Sequence, residues 1–128
     1  MTSRFTELIV DCHDLKLVAY FWCAVLRYEV LEVQDDLIEI GAGTATAEGF
    51  RKEPLPPTIV FVKVPEGKTV KNRLHIDVSP IDASQADEVE RVLALGAKKI
   101  DIGQGDVGWV VLADPEGNEF CILRSLQP

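Results

Sequence analysis

Apolar and polar residues alternate with a period of two in a series of short stretches, and recur at helical spacing in two longer ones. Phe5 to Cys12 alternates and predicts a strand. Asp14 then offers an N-cap, and Leu15, Val18, Trp22, Val25 and Leu26 follow at helical spacing with Ala19 on the same stripe. The helix is expected to end near Arg27. Tyr28 to Val33 and Leu37 to Ile40 read as two strands joined by a turn at Gln34-Asp35-Asp36. Residues 41–57 hold three glycines and three prolines with little periodicity, which predicts a mobile connection. Thr58 to Val64 is a β-branched strand.

The pattern then starts again. Pro65 to Lys68 is a turn or linker, and Arg73 to Ser79 alternates as a strand. Asp82 or Ser84 caps a helix with Ala86, Val89, Val92 and Leu93 on one face, and Gly96 stops it. Lys98–Ile102, Val107–Leu112 and Asn118–Leu123 are three further strand segments, the last two joined by a turn at Asp114-Pro115-Glu116-Gly117. The order β-α-β-β-β therefore occurs twice. Glu7 precedes Asp14 by the same interval as His75 precedes Asp82, which supports a duplicated module.

Composition narrows the partners. The 128 residues are 47% hydrophobic and 27% charged, as in a soluble globular domain. The net charge of −8 argues against nucleic acid and anionic membrane surfaces, both of which need a basic face. No apolar run approaches a membrane span, and no charged-then-apolar leader is visible, so a cytoplasmic location is expected. The odd set Cys12, Cys23 and Cys121 is expected to stay reduced.

Three stretches carry a family resemblance: Asp11-Cys12-His13-Asp14 followed by Phe21-Trp22 and Leu26; Asn72 to Val78; and Asp114-Pro115-Glu116-Gly117-Asn118-Glu119-Phe120. With the duplicated order, the chain resembles the vicinal-oxygen-chelate superfamily, which includes glyoxalase I, bleomycin-resistance proteins, fosfomycin-resistance enzymes and extradiol dioxygenases. It looks most like the small single-domain glyoxalase-like bacterial proteins. The resemblance implies an α+β fold: a single domain of two tandem βαβββ modules (about 1–64 and 73–128, linker 65–72) forming a curled, half-barrel mixed sheet with helices outside. It also implies a ligand cleft between the modules and a homodimer.

In metal-dependent relatives, four strand residues in that cleft bind one divalent ion. The matching positions here are Glu7, His75 and Cys121, with the fourth near Val62. Relatives usually carry glutamate where Cys121 stands, and valine is no ligand. A cofactor is therefore not expected. The alternative is a divalent metal (Zn, Ni, Mn or Fe) on Glu7, His75 and Cys121, of which zinc tolerates a thiolate best.

Strand parity gives a second reading. Leu8, Val10 and Cys12 share one face of their strand, opposite Glu7, Ile9 and Asp11. Leu74, Ile76 and Val78 oppose His75, Asp77 and Ser79, and Phe120 and Ile122 oppose Glu119, Cys121 and Leu123. The apolar face is expected under the helices. The mixed face is either the cleft wall or a plain solvated sheet surface. As a wall it is acidic and suits a cationic ligand, and clustered carboxylates are expected to raise one another's pKa. His75, whose side-chain type titrates nearest working pH, and Glu119 are then the candidate catalytic residues. Ile9, Asp11, Val62, Arg73, Asp77 and Trp109 are candidate ligand contacts, with Phe50 a further wall. Lys68, Lys71 and Arg73 read as a solvated basic linker, although Arg73 can reach a ligand carboxylate. Three functions follow: a metal-free binding protein for a small molecule, including antibiotic sequestration; a metal-dependent lyase, isomerase or dioxygenase-like enzyme; and a metal-free enzyme that moves a proton with His75 or a carboxylate.

Overall fold

The computed structural model describes residues 1–126. The chain divides into two compact units, Met1–Gly67 and the residues from Lys68 on.

In the first unit, β1 (Glu7–Cys12) leads to α1 (Leu15–Leu26), followed by β2 (Glu29–Val33), β3 (Leu37–Gly41), a short α2 (Ala47–Lys52) and β4 (Thr58–Lys63). The Asp14 carboxylate accepts the Leu17 N–H at 3.2 Å and caps α1, while Arg27 in the left-handed region ends it. The sheet order is β1-β4-β3-β2, with β1 parallel to β4 and the other pairs antiparallel. Helix α1 lays Val18, Ala19, Trp22 and Val25 on the sheet, whose Ile38, Ile40 and Phe61 are fully buried. Phe21 meets Trp22 edge to face at 5.3 Å. Strand β2 is an exposed edge with an irregular register between Val30 and Glu32, a common way to blunt an edge.

The expected plain connection over 41–57 is corrected by α2. Thr46 caps it by accepting the Gly49 N–H at 3.0 Å, and Glu48 pairs with Arg51 one turn on. Gly49 inside the helix and the prolines after it masked the pattern in the sequence.

The second unit repeats the order with β5 (Ile76–Val78), α3 (Gln85–Ala94), β6 (Lys98–Lys99), β7 (Val110–Ala113) and β8 (Glu119–Ile122). Its sheet runs β5-β8-β7-β6, again with one parallel pair, β5 with β8. Ser84 caps α3, and Val89 and Val92 pack its inner face. Phe120, Ile122 and Leu112 are fully buried on the helix side of the sheet. The fold is thus α+β, made of two tandem βαβββ units, each with an open four-stranded mixed sheet. Among the described residues, no helix is long and apolar enough to cross a membrane.

The second-unit strands are shorter than the alternation predicts. Residues Arg73 to His75 lie outside β5, and β6 stops at Lys99 ahead of Gly103 and Gly105, both at positive φ.

Candidate functional site

The interstrand register builds the site in the second unit. Parallel pairing sets Asp77 opposite Cys121, and antiparallel pairing sets Val111 opposite Cys121 on its other side. Residues in register share a face, so Asp77, Cys121 and Val111 stand together on the side away from Phe120 and Ile122. His75 precedes β5 by one residue and turns its imidazole to the same place: His75 Nε2 lies 3.1 Å from Asp77 Oδ1. His75 and Asp77 remain 44% and 47% exposed, whereas Cys121 is buried. The donor atoms of the three residues all fall within 4.8 Å of one another.

Asp77 lies against both neighbours: His75 Nε2 comes close to its carboxylate, and Cys121 hydrogen-bonds to it. The half-exposed imidazole carries two nitrogens that can each hold or accept a proton. Burial first, then the Asp77 charge and the hydrogen bond to Asp77, push the Cys121 thiol up from its ordinary value. Cys121 is therefore a protonated donor rather than a nucleophile. All three cysteines are thiols.

Glu119, the other candidate for proton transfer, is tied to two donors. It is buried at 8% exposure, and burial alone would raise its pKa, but the Lys68 ammonium and the Asn72 backbone N–H hold it below the ordinary carboxylate value. That direction is opposite to the mutual raising expected of clustered carboxylates. Its Oε1 accepts the Asn72 N–H at 2.6 Å, and its Oε2 pairs with Lys68. Lys68, read from sequence as a solvated linker residue, is thus a fixed partner.

The depressed value makes Glu119 an acid-sensitive point. Its contribution to stability is complete above the ordinary carboxylate pKa of 4.5 and is lost as the pH falls from there through the lowered folded-state value. Urea midpoints measured from pH 6 down to pH 3 are expected to fall less steeply in Glu119→Gln than in the wild type. Parallel curves would remove Glu119 from the acid response.

The other predicted residues lie as follows. Glu7, Ile9 and Asp11 point to the exposed face of β1, with Val62 opposite Asp11 on β4. The 68-residue repeat makes Ile9 the counterpart of Asp77, and Ile9 pairs with Val60 as Asp77 pairs with Cys121. The fourth ligand position expected near Val62 therefore falls on Val60, two residues earlier on the same face and equally unable to bind a metal. Arg73 is exposed on the segment before β5. Trp109 is 44% exposed just ahead of β7, beside Gly108, whose carbonyl accepts from the Gln85 amide at 2.9 Å. The first unit also holds an open hollow of about 660 Å³ lined by Arg4, Glu7, Glu39, Phe50, Arg51 and Thr58 among others.

The site joins a nitrogen, an oxygen and a sulfur donor. Donors about 2.0–2.3 Å from a zinc ion lie within roughly 4 Å of one another, so this set must close slightly and Cys121 must lose its proton. It suits zinc in kind; a thiol does not suit the hard Mn(II) ion.

Duplicated βαβββ units with such a cluster on a sheet face define a protein of the glyoxalase/bleomycin resistance/dioxygenase fold. The chain belongs to the glyoxalase-like domain family, whose model matches residues 7–123. No curated protein sequence matches it. Among solved structures it is similar to a glyoxalase/bleomycin resistance/dioxygenase family enzyme from Burkholderia phytofirmans (TM-score 0.65, 19% identity, covering 94% of this chain and 97% of that one). It is also similar to the fosfomycin resistance protein FosX from Mesorhizobium loti (TM-score 0.62, 16% identity, 98% and 92% covered). A third similar structure is FosX from Listeria monocytogenes, complexed with Mn(II) and sulfate (TM-score 0.66, 14% identity, 98% and 93% covered). At these identities the likeness is one of fold.

Proposed function

We propose that this glyoxalase-like protein binds a small molecule against the second sheet's face at His75, Asp77 and Cys121, and that His75 exchanges a proton with it. The observation that carries this is the 3.1 Å pair between an accessible imidazole and Asp77 beside a buried thiol. By this reading the Asp77 carboxylate orients the imidazole and leaves its other nitrogen available for proton exchange. Val111, buried beside Cys121, backs the polar trio, and Trp109, two residues earlier in the chain and half-exposed, is the nearest apolar candidate in sequence for a wall of the kind small-molecule sites use. Arg73, on the segment before β5, is a further contact by this reading. The ligand stays in the class of small oxygenated, cationic or aromatic molecules. The runner-up for the same site is sequestration without chemistry.

The three gathered donors support a second reading, in which His75, Asp77 and Cys121 hold a zinc ion that polarises a substrate oxygen. Elemental analysis separates the two. Protein purified without chelator is expected to carry well under one equivalent of zinc, manganese, nickel or iron, and ligand-induced thermal shifts are expected to survive EDTA. Stoichiometric zinc in the wild type that is lost in His75→Ala would establish the second reading instead.

A further inference from the structure

The buried Glu119 is left unused by the proposed site, although it lies two residues before Cys121 on the same face of β8. Its bonds show what it does. Residues 68–75 lead into β5 but lie outside the sheet. Glu119 grips this lead-in at two places: Oε2 takes the Lys68 ammonium, and Oε1 takes the Asn72 backbone N–H at 2.6 Å. The Asn72 side chain continues the grip by donating to Asn118 Oδ1 at 2.8 Å. Asn118 in turn donates from its side chain to Asp114 Oδ2 at 3.0 Å and from its backbone to Asp114 Oδ1 at 2.9 Å. Asp114 is buried and also accepts the Glu116 N–H at 2.9 Å, which closes the Asp-Pro-Glu-Gly turn. A chain of hydrogen bonds thus runs from the β7–β8 turn to a point three residues before His75.

The geometry points to Glu119 as a positioning residue: through Lys68 and Asn72 it fixes the lead-in to β5 and so holds the His75 imidazole against Asp77. This rests on the reading of His75 as the working group of the site. The chemistry of the clamp requires a carboxylate. Both partners of Glu119 are donors, and an ionised carboxylate accepts from both. A glutamine of the same shape offers one acceptor and one donor, so one of the two contacts becomes donor against donor. Lys68→Met removes only the charged half and leaves the strand sequence intact.

The test uses the unliganded protein and reads His75 directly. Nitrogen-15 spectra of the imidazoles report which ring nitrogen carries the proton, with His13, the other of the two histidines, as internal reference. In the wild type His75 is expected to be protonated on Nε2 with the signature of a hydrogen bond to a carboxylate. In Lys68→Met and Glu119→Gln that signature is expected to give way to averaged tautomers. The amides of residues 72–75 are expected to exchange at least about tenfold faster while those of α3 keep their wild-type rates. An unaltered His75 pattern and unaltered exchange at 72–75 in folded Lys68→Met would overturn the proposal, whatever Glu119→Gln does. The outcome is separable from the functional reading. If the His75 signature follows Glu119 but His75→Ala leaves ligand binding intact, the clamp stands and the site assignment falls.

Discussion

Phe120→Ala is expected to destabilise the protein by about 3–5 kcal/mol, seen as a fall in urea midpoint. Phe120 has 0% exposure and sits on β8, the strand flanked by both β5 and β7. It pairs in register with Ile76 on one side and Leu112 on the other, and Leu112 is itself fully buried. Truncation removes the ring's transfer energy and leaves a cavity that a ladder held from two sides cannot close. A domain of this size has about 5–15 kcal/mol in hand, so the variant is expected to be near the edge of folding at 37 °C. Trp109→Ala supplies the contrast. Half-exposed Trp109 is expected to cost less, about 1–2 kcal/mol, because a large part of its ring stays in water and its loss leaves no closed cavity. Equal costs for the two would mean that the alternation has been assigned to the wrong faces.

The second large effect is on binding. His75→Ala is expected to weaken the best small-molecule hit from a thermal-shift panel by at least about tenfold, or 1.4 kcal/mol. Asp77→Asn is the sharper variant. It preserves size and leaves an acceptor oxygen, but removes the charge that faces His75 and that Cys121 donates to. If the ligand takes or gives a proton at His75, Asp77→Asn is expected to reduce turnover more than affinity. If the protein only sequesters, affinity falls and there is no turnover to lose. His75 and Asp77 are half exposed, so neither substitution is expected to move the melting temperature much. A large loss of stability in either would make them structural residues instead.

The fold was legible because its signals are local and occur twice. The capped helices after β1 and β5, the alternating strands and the Asp-Pro-Glu-Gly turn each depend on neighbours in sequence. Parity also placed Asp77 and Cys121 on the same side of their strands. What sequence alone could not supply was the register of β5 against β8, which brings Asp77 directly opposite Cys121. The ligand set carried over by resemblance therefore named Glu7, His75 and Cys121, and treated Asp77 as a ligand contact. The ties of Glu119 were illegible for a related reason. Its partner Lys68 is remote in sequence, and a lysine between Gly67 and Thr69 looks like any solvated linker residue. Helix α2 was hidden by a glycine within it, although Thr46 and the Glu48–Arg51 pair were there to be read.

The most direct test of the site assignment is a nitrogen-15 titration of the wild-type protein with the panel molecule that raises its melting temperature most. The account predicts that the largest shifts fall on His75, Asp77, Val111 and Cys121, with the His75 imidazole nitrogens moving in step with saturation. Shifts confined to the first unit, around Glu39, Phe50 and Thr58, with His75 unmoved, would contradict it and place the ligand in that unit's own hollow.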